Sequence, residues 1–93
     1  MPPSNQLKKI SSISAVFPAY NDAGTIPSMV LSALLAMRQV TDDYEVIVTN
    51  DGSRDNTGII LDELASRYPE LKVFHHPQHQ GYGCALRTGF AHA

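Results

Sequence analysis

A chain of 93 residues has room for one hydrophobic core and not for two. Its 43% apolar content, with only six glycines and six prolines, excludes a fibrous or disordered polymer. Seven basic against nine acidic residues leave a formal charge of −2, which gives no basic footprint for nucleic acid.

Residues 1–9 are polar, and their lysines precede no long apolar stretch. They read as a loose polar arm, not as a signal peptide. From residue 10 the chain alternates strand and helix in three units of about 30 residues, the size of a βα repeat. The first strand is expected at residues 13–17, rich in Ile, Val and Phe and stopped by Pro18. A polar loop, 18–24, leads to a helix starting near Thr25, which can serve as N-cap, with Pro27 in the first turn. Ile26, Val30, Ala33, Leu34 and Met37 recur at helical spacing and share one face. The mostly apolar run at 28–37 is about half the ~20 residues a membrane-spanning helix needs.

The second unit opens at residues 44–49, where Val46, Ile47 and Val48 form the continuous apolar run of a strand buried on both faces. Asn50, Asp51, Gly52 and Ser53 follow as a turn cluster. A helix begins near Thr57, capped by Asp55 or Thr57, carries Ile60, Leu61, Leu64 and Tyr68, and stops at Pro69. The third strand is expected at residues 72–75, and a glycine-containing loop, 76–83, leads to a last helix through Ala85, Leu86 and Phe90.

This rhythm predicts an α/β fold, a three-layer Rossmann-like parallel sheet with right-handed crossovers and strand order 3-2-1. In such a sheet all strand C-termini lie on one edge, where ligands bind. The three polar loops meet there. Asp51, at the tip of a buried strand, can accept hydrogen bonds from a ribose hydroxyl or a base N–H, and Gly52 allows close backbone approach. The plainer alternative is that Asp51 and Ser53 only make a turn. His75, His76 and His79 read as solvated loop histidines, with Pro77 preventing a shared helical face and no Cys or acid near in sequence. Cys84 reads as a packing residue; as the single cysteine it can form no internal disulfide, so a reducing, cytoplasmic setting is expected. Gly81 and Gly83 are no dinucleotide fingerprint, because Leu86 occupies the third glycine position.

Three motifs in order, at 17–26, 46–57 and 81–90, resemble the family 2 glycosyltransferases, in particular the branch of dolichol- and undecaprenyl-phosphate sugar transferases. The resemblance implies the amino-terminal half of a GT-A fold, at residues 10–93. It also implies the donor-binding part of an inverting enzyme that passes a sugar from a nucleoside diphosphate to a lipid-phosphate or polysaccharide acceptor. By the same resemblance, Pro18, Ala19 and Tyr20 cradle the base, Asp22 contacts the nucleotide, and Asp51 with Gly52 binds base or ribose. Gly81 and Gly83 match the third motif, in which His79 stands at the usual Asn and Tyr82 at the frequent Lys. Asn50 replaces the first acid of the Asp-Asp-Gly-Ser pattern.

The family's divalent metal, Mg or Mn, is held by an Asp-x-Asp that does not occur among the acids of this sequence. The pair Asp43 and Glu45 lies at the start of a strand, the wrong edge of the sheet. Catalytic and metal-ligating residues are therefore expected outside the chain, which alone is expected to be inactive. UDP- or GDP-sugar is the expected partner, with a membrane lipid as acceptor at the cytoplasmic face. A non-catalytic nucleotide-binding or assembly module of the same half-fold is the alternative. Cutting the sheet at this point would leave strand 13–17 as an apolar edge and much of one sheet face uncovered, which predicts a homo-oligomer.

Overall fold

The computed structural model describes residues 12–93, so the expected polar arm at 1–9 lies outside the described residues. Three strands, β1 (Ile13–Ala19), β2 (Tyr44–Asp51) and β3 (Leu71–His76), alternate with three helices. The helices are α1 (Ile26–Arg38), α2 (Thr57–Arg67) and α3 (Tyr82–Ala91). The strands pair in parallel in the order β1-β2-β3, with β2 central, so the strand order expected from right-handed crossovers holds.

Side chains of β2 alternate between two buried layers, as period-two geometry requires. Val46 and Val48 join Ile26, Val30, Leu34, Leu61 and Leu71 in a core beneath α1 and α2. Ile47 and Thr49 point the other way and are fully buried. There α3 crosses at close range: a Cβ placed on Gly89 would collide with Val16 and reach Thr49 Oγ1 at 3.6 Å. The expectation of a largely uncovered sheet face is thus corrected, because α3 already covers it. The β1 edge does stay without a second strand among the described residues.

The strands run further than the residue pattern indicates. Pro18 does not stop β1, which continues to Ala19, because an edge strand can present a missing N–H to its unpaired side. Asn50 and Asp51 belong to β2 and not to a turn, and His76 closes β3. Thr25 makes no side-chain cap on α1; the Asp22 carbonyl instead accepts the Thr25 and Ile26 N–H groups at 2.9 and 2.8 Å. Thr49 Oγ1, buried under α3, has no hydrogen-bond partner among the described residues. Thr49→Val, which keeps the shape and removes the unpaired hydroxyl, should raise the unfolding free energy by about 1 kcal/mol. Urea unfolding checks it.

Candidate functional site

At the C-terminal edge of the sheet the first two loops are laced together. Asn21 holds a left-handed backbone, φ 52°, that suits its short polar side chain. Its N–H donates to Ser53 Oγ at 2.9 Å, and its Oδ1 accepts the Arg54 N–H at 2.8 Å. The Asp22 N–H donates to Thr57 Oγ1 at 2.9 Å, and the Ala23 N–H to the Asp55 carboxylate at 3.2 Å. Asp55 also accepts the Thr57 N–H at 2.9 Å and its hydroxyl, so it pairs the first N–H of α2 from one position ahead of the N-cap residue, Asn56, whose own side chain makes no cap. These hydrogen bonds from Thr57 hold the Asp55 carboxyl below the usual carboxylate range. Asp22 turns its own carboxylate back onto the Tyr20 N–H at 3.0 Å, which sets the Pro18-Ala19-Tyr20 backbone.

Asp51 organises the third loop. Its side chain is 3% exposed. Oδ1 accepts from His76 Nδ1 at 2.8 Å and from the Gln80 N–H at 3.0 Å, and Oδ2 accepts from the Gly81 N–H at 2.9 Å. His79 Nε2 stands 3.5 Å from Oδ2. Burial alone would raise the Asp51 carboxyl, but these donors outweigh it and hold the group below its ordinary value. A carboxylate lowered in the folded state stabilises above its unfolded value, near 3.9, and that contribution is lost as pH falls through the folded value. Stability should therefore be level from neutral pH to about 5 and decline below about 4. The decline should be shallower in Asp51→Asn, read by urea midpoints across that range.

His75 and His76 belong to β3 and are not the solvated loop residues expected from sequence: register sets His76 beside Asp51, and α2 brings Asp62 to His75, whereas His79 is an exposed loop residue as expected. β2 and β3 align Asp51 with His76 and Asn50 with His75. His75 bridges Asn50 Nδ2 at 3.0 Å and Asp62 Oδ1 at 2.8 Å. His79 lies over the Tyr20 ring, centroids 4.1 Å apart.

A cavity of about 280 Å³ opens between these loops, lined by Pro18, Ala19, Tyr20, Asp22, Asp51, His79 and Tyr82. Five of the eight residues singled out by sequence therefore meet in one place. Gly52 lines a neighbouring cavity of about 480 Å³ with Ser53, Arg54 and His79. Gly81, at φ 102°, contributes its N–H to Asp51, while Gly83 lines neither cavity and sits in the first turn of α3. His79 and Tyr82 are the lining residues that sequence reasoning left unassigned. Their place in the third motif was the only signal for them. A groove of about 390 Å³ between α1 and the start of β2 is lined by Leu31, Leu35, Tyr44 and Tyr68, away from the polar loops.

Residues 14–93 match the family model described as glycosyl transferase family 2. The chain belongs to that family. It is 34% identical over 86 residues to a dolichyl-phosphate beta-glucosyltransferase of Trichomonas vaginalis, covering 87% of this chain and 26% of that protein. It is 33% identical over 85 residues to an undecaprenyl-phosphate 4-deoxy-4-formamido-L-arabinose transferase of Photorhabdus laumondii, covering 89% of this chain and 26% of the relative. Among solved structures it resembles a mannosyltransferase of Pyrobaculum calidifontis in complex with GDP-Man and Mn2+. The TM-score is 0.74 at 26% identity, over 87% of this chain and 24% of the other. The family 2 chain thus spans about a quarter of the length of these relatives, and its Rossmann-like sheet matches a GT-A glycosyltransferase.

Among the described residues, no three His, Cys, Asp or Glu side chains gather as ligands for a metal ion. Asp43 and Glu45 do not fit one either. Glu45 is spent on Ser14 Oγ at 2.6 Å and Lys72 Nζ at 2.9 Å, at the opposite edge of the sheet. The hydrogen bond from Ser14, with Lys72 behind it, holds the Glu45 carboxyl low. The described residues of this family 2 chain therefore do not fit the divalent ion by themselves.

Proposed function

We propose that the cavity at the C-terminal sheet edge binds the nucleotide of a UDP- or GDP-sugar. It would be the donor half of an inverting glycosyltransferase that acts on a lipid-phosphate or polysaccharide acceptor. The observation that carries this reading is the convergence of Pro18, Ala19, Tyr20, Asp22 and Asp51 on one cavity. The mannosyltransferase neighbour, in complex with GDP-Man and Mn2+, supports it. So do the lipid-phosphate transferases among the relatives.

The chemistry of the cavity suits a nucleoside. Tyr20, with His79 over its ring, and Tyr82 line the cavity with aromatic surface that a planar base can pack against. Asp51 Oδ2 accepts one N–H within the chain and has His79 Nε2 3.5 Å away, a position that a base N–H or ribose O–H would take over or share. Tyr20 N–H is already taken by Asp22, so the loop backbone arrives ordered. A divalent ion such as the Mn2+ of the mannosyltransferase neighbour would find its ligands, like the catalytic base, outside the described residues. The free Cys84 supports a cytoplasmic setting. No helix of the described residues is long and apolar enough to cross a membrane.

Titration of the 93-residue chain with UDP and GDP should move the amides of residues 19–22 and 51–53, with a Kd of about 1 mM. Shifts confined to α2 or to the N-terminal sheet edge would sink the reading. The chain alone should turn over no sugar nucleotide above a blank without protein. The β1 edge, unpaired among the described residues, is also the place for self-association. Light scattering at micromolar concentration should report a dimer in which the outward β1 amides resist hydrogen exchange. A monomer with freely exchanging amides there would refute it.

A further inference from the structure

Two adjacent histidines at the end of β3 present their Nδ1 atoms to opposite partners, His76 to a carboxylate oxygen and His75 to an amide nitrogen. An ionised carboxylate only accepts, so His76 Nδ1, 2.8 Å from Asp51 Oδ1, must carry a hydrogen. In the neutral ring Nε2 is then an acceptor, and Thr88 Oγ1 of α3 donates to it at 2.7 Å. His75 is the reverse. Asn50 Oδ1 accepts the Ser53 N–H, so Nδ2 is the donor toward His75 Nδ1. His75 Nε2–H then faces Asp62. The relay Thr88 to His76 to Asp51 thus crosses from α3, through the last residue of β3, to the tip of β2.

The same carboxylate receives the other end of the loop, through Gln80 and Gly81. Residues 77–81 are therefore closed at both ends on Asp51, and His79 is held between them over Tyr20 at the cavity rim. His76 itself does not line the cavity, and its side chain is 11% exposed.

We propose that His76 is a positioning residue for the nucleotide site. Its Nδ1–H, fixed by Thr88, orients the Asp51 carboxylate so that Oδ2 faces the cavity. It also sets the span of the loop that carries His79. The proposal rests on the donor reading for its effect on binding, but not for its geometry.

The test compares the wild-type chain with His76→Leu, which removes both hydrogen bonds, and His76→Asn, whose Nδ2–H takes the place of Nδ1–H. Nitrogen-15 spectra of the wild type should show His76 protonated at Nδ1 and bare at Nε2. The Gln80 and Gly81 amides should be protected from exchange in the wild type, unprotected in the leucine variant and protected again in the asparagine variant. UDP affinity should fall about tenfold in His76→Leu, as expected for losing one hydrogen bond to a charged group, and recover in His76→Asn. An Nε2–H tautomer, unchanged UDP affinity in a folded His76→Leu, or no recovery in a folded His76→Asn overturns the proposal. If the wild type binds neither UDP nor GDP, the donor reading fails by itself. The tautomer and the amide protection then decide whether His76 holds Asp51.

Discussion

Replacing Asp51 by alanine should lower the unfolding free energy by about 3–5 kcal/mol and abolish nucleotide-induced shifts. The size follows from what the carboxylate satisfies. Its removal leaves the Gln80 N–H, the Gly81 N–H and His76 Nδ1 facing a void at a site that is 3% exposed. Each donor left unpaired costs up to about 1–3 kcal/mol, less where water reaches it, as at the part-buried Gln80 N–H. Asp51→Asn should lose less, because an amide oxygen still accepts, although its NH2 must then face an N–H. Urea unfolding gives the stability, and proton–nitrogen spectra show whether residues 77–81 alone have moved. A stable Asp51→Ala with an unchanged third loop would mean that the loop closes without this carboxylate.

Gly52→Ala should have the next largest effect, a loss of about 2–4 kcal/mol together with displacement of His79 from Tyr20. Gly52 has φ 71°, where a side chain strains the backbone by about 1–2 kcal/mol. A Cβ there would also overlap backbone atoms of Gln78 and His79, which cannot turn aside as a flexible side chain would. The third loop must lift as a whole, and lifting it strains the hydrogen bonds to Asp51. Nucleotide affinity should therefore fall with stability. A Gly52→Ala chain that keeps the ring contacts between Tyr20 and His79, read as nuclear Overhauser effects, would show that the loop has more slack than its packing indicates.

Asp51 illustrates what could be read from the residues and what could not. Its place at the tip of a buried strand followed from the apolar run at 46–48 before a polar cluster. Its partners did not follow, since all of them lie 25 to 30 positions away, in the third strand and loop. Loop histidines with no acid near them in sequence looked solvated for the same reason. One residue of register decides whether His75 or His76 meets Asp51, and register depends on how the whole sheet packs.

The sequence by itself determined the βα rhythm, the parallel sheet and its strand order, because these rest on local periodicity and on the handedness of crossovers. It also determined that Pro18, Ala19, Tyr20, Asp22 and Asp51 belong to one edge, since every strand of a parallel sheet ends on the same side. Tertiary structure alone decided how closely α3 packs on the second sheet face and how much of it is covered, because that depends on Gly89 meeting Val16 across 73 positions of chain. It alone decided that one carboxylate closes the third loop. Hydrogen-bond partners are chosen by proximity in space, and the spacing of residues along a chain does not encode it.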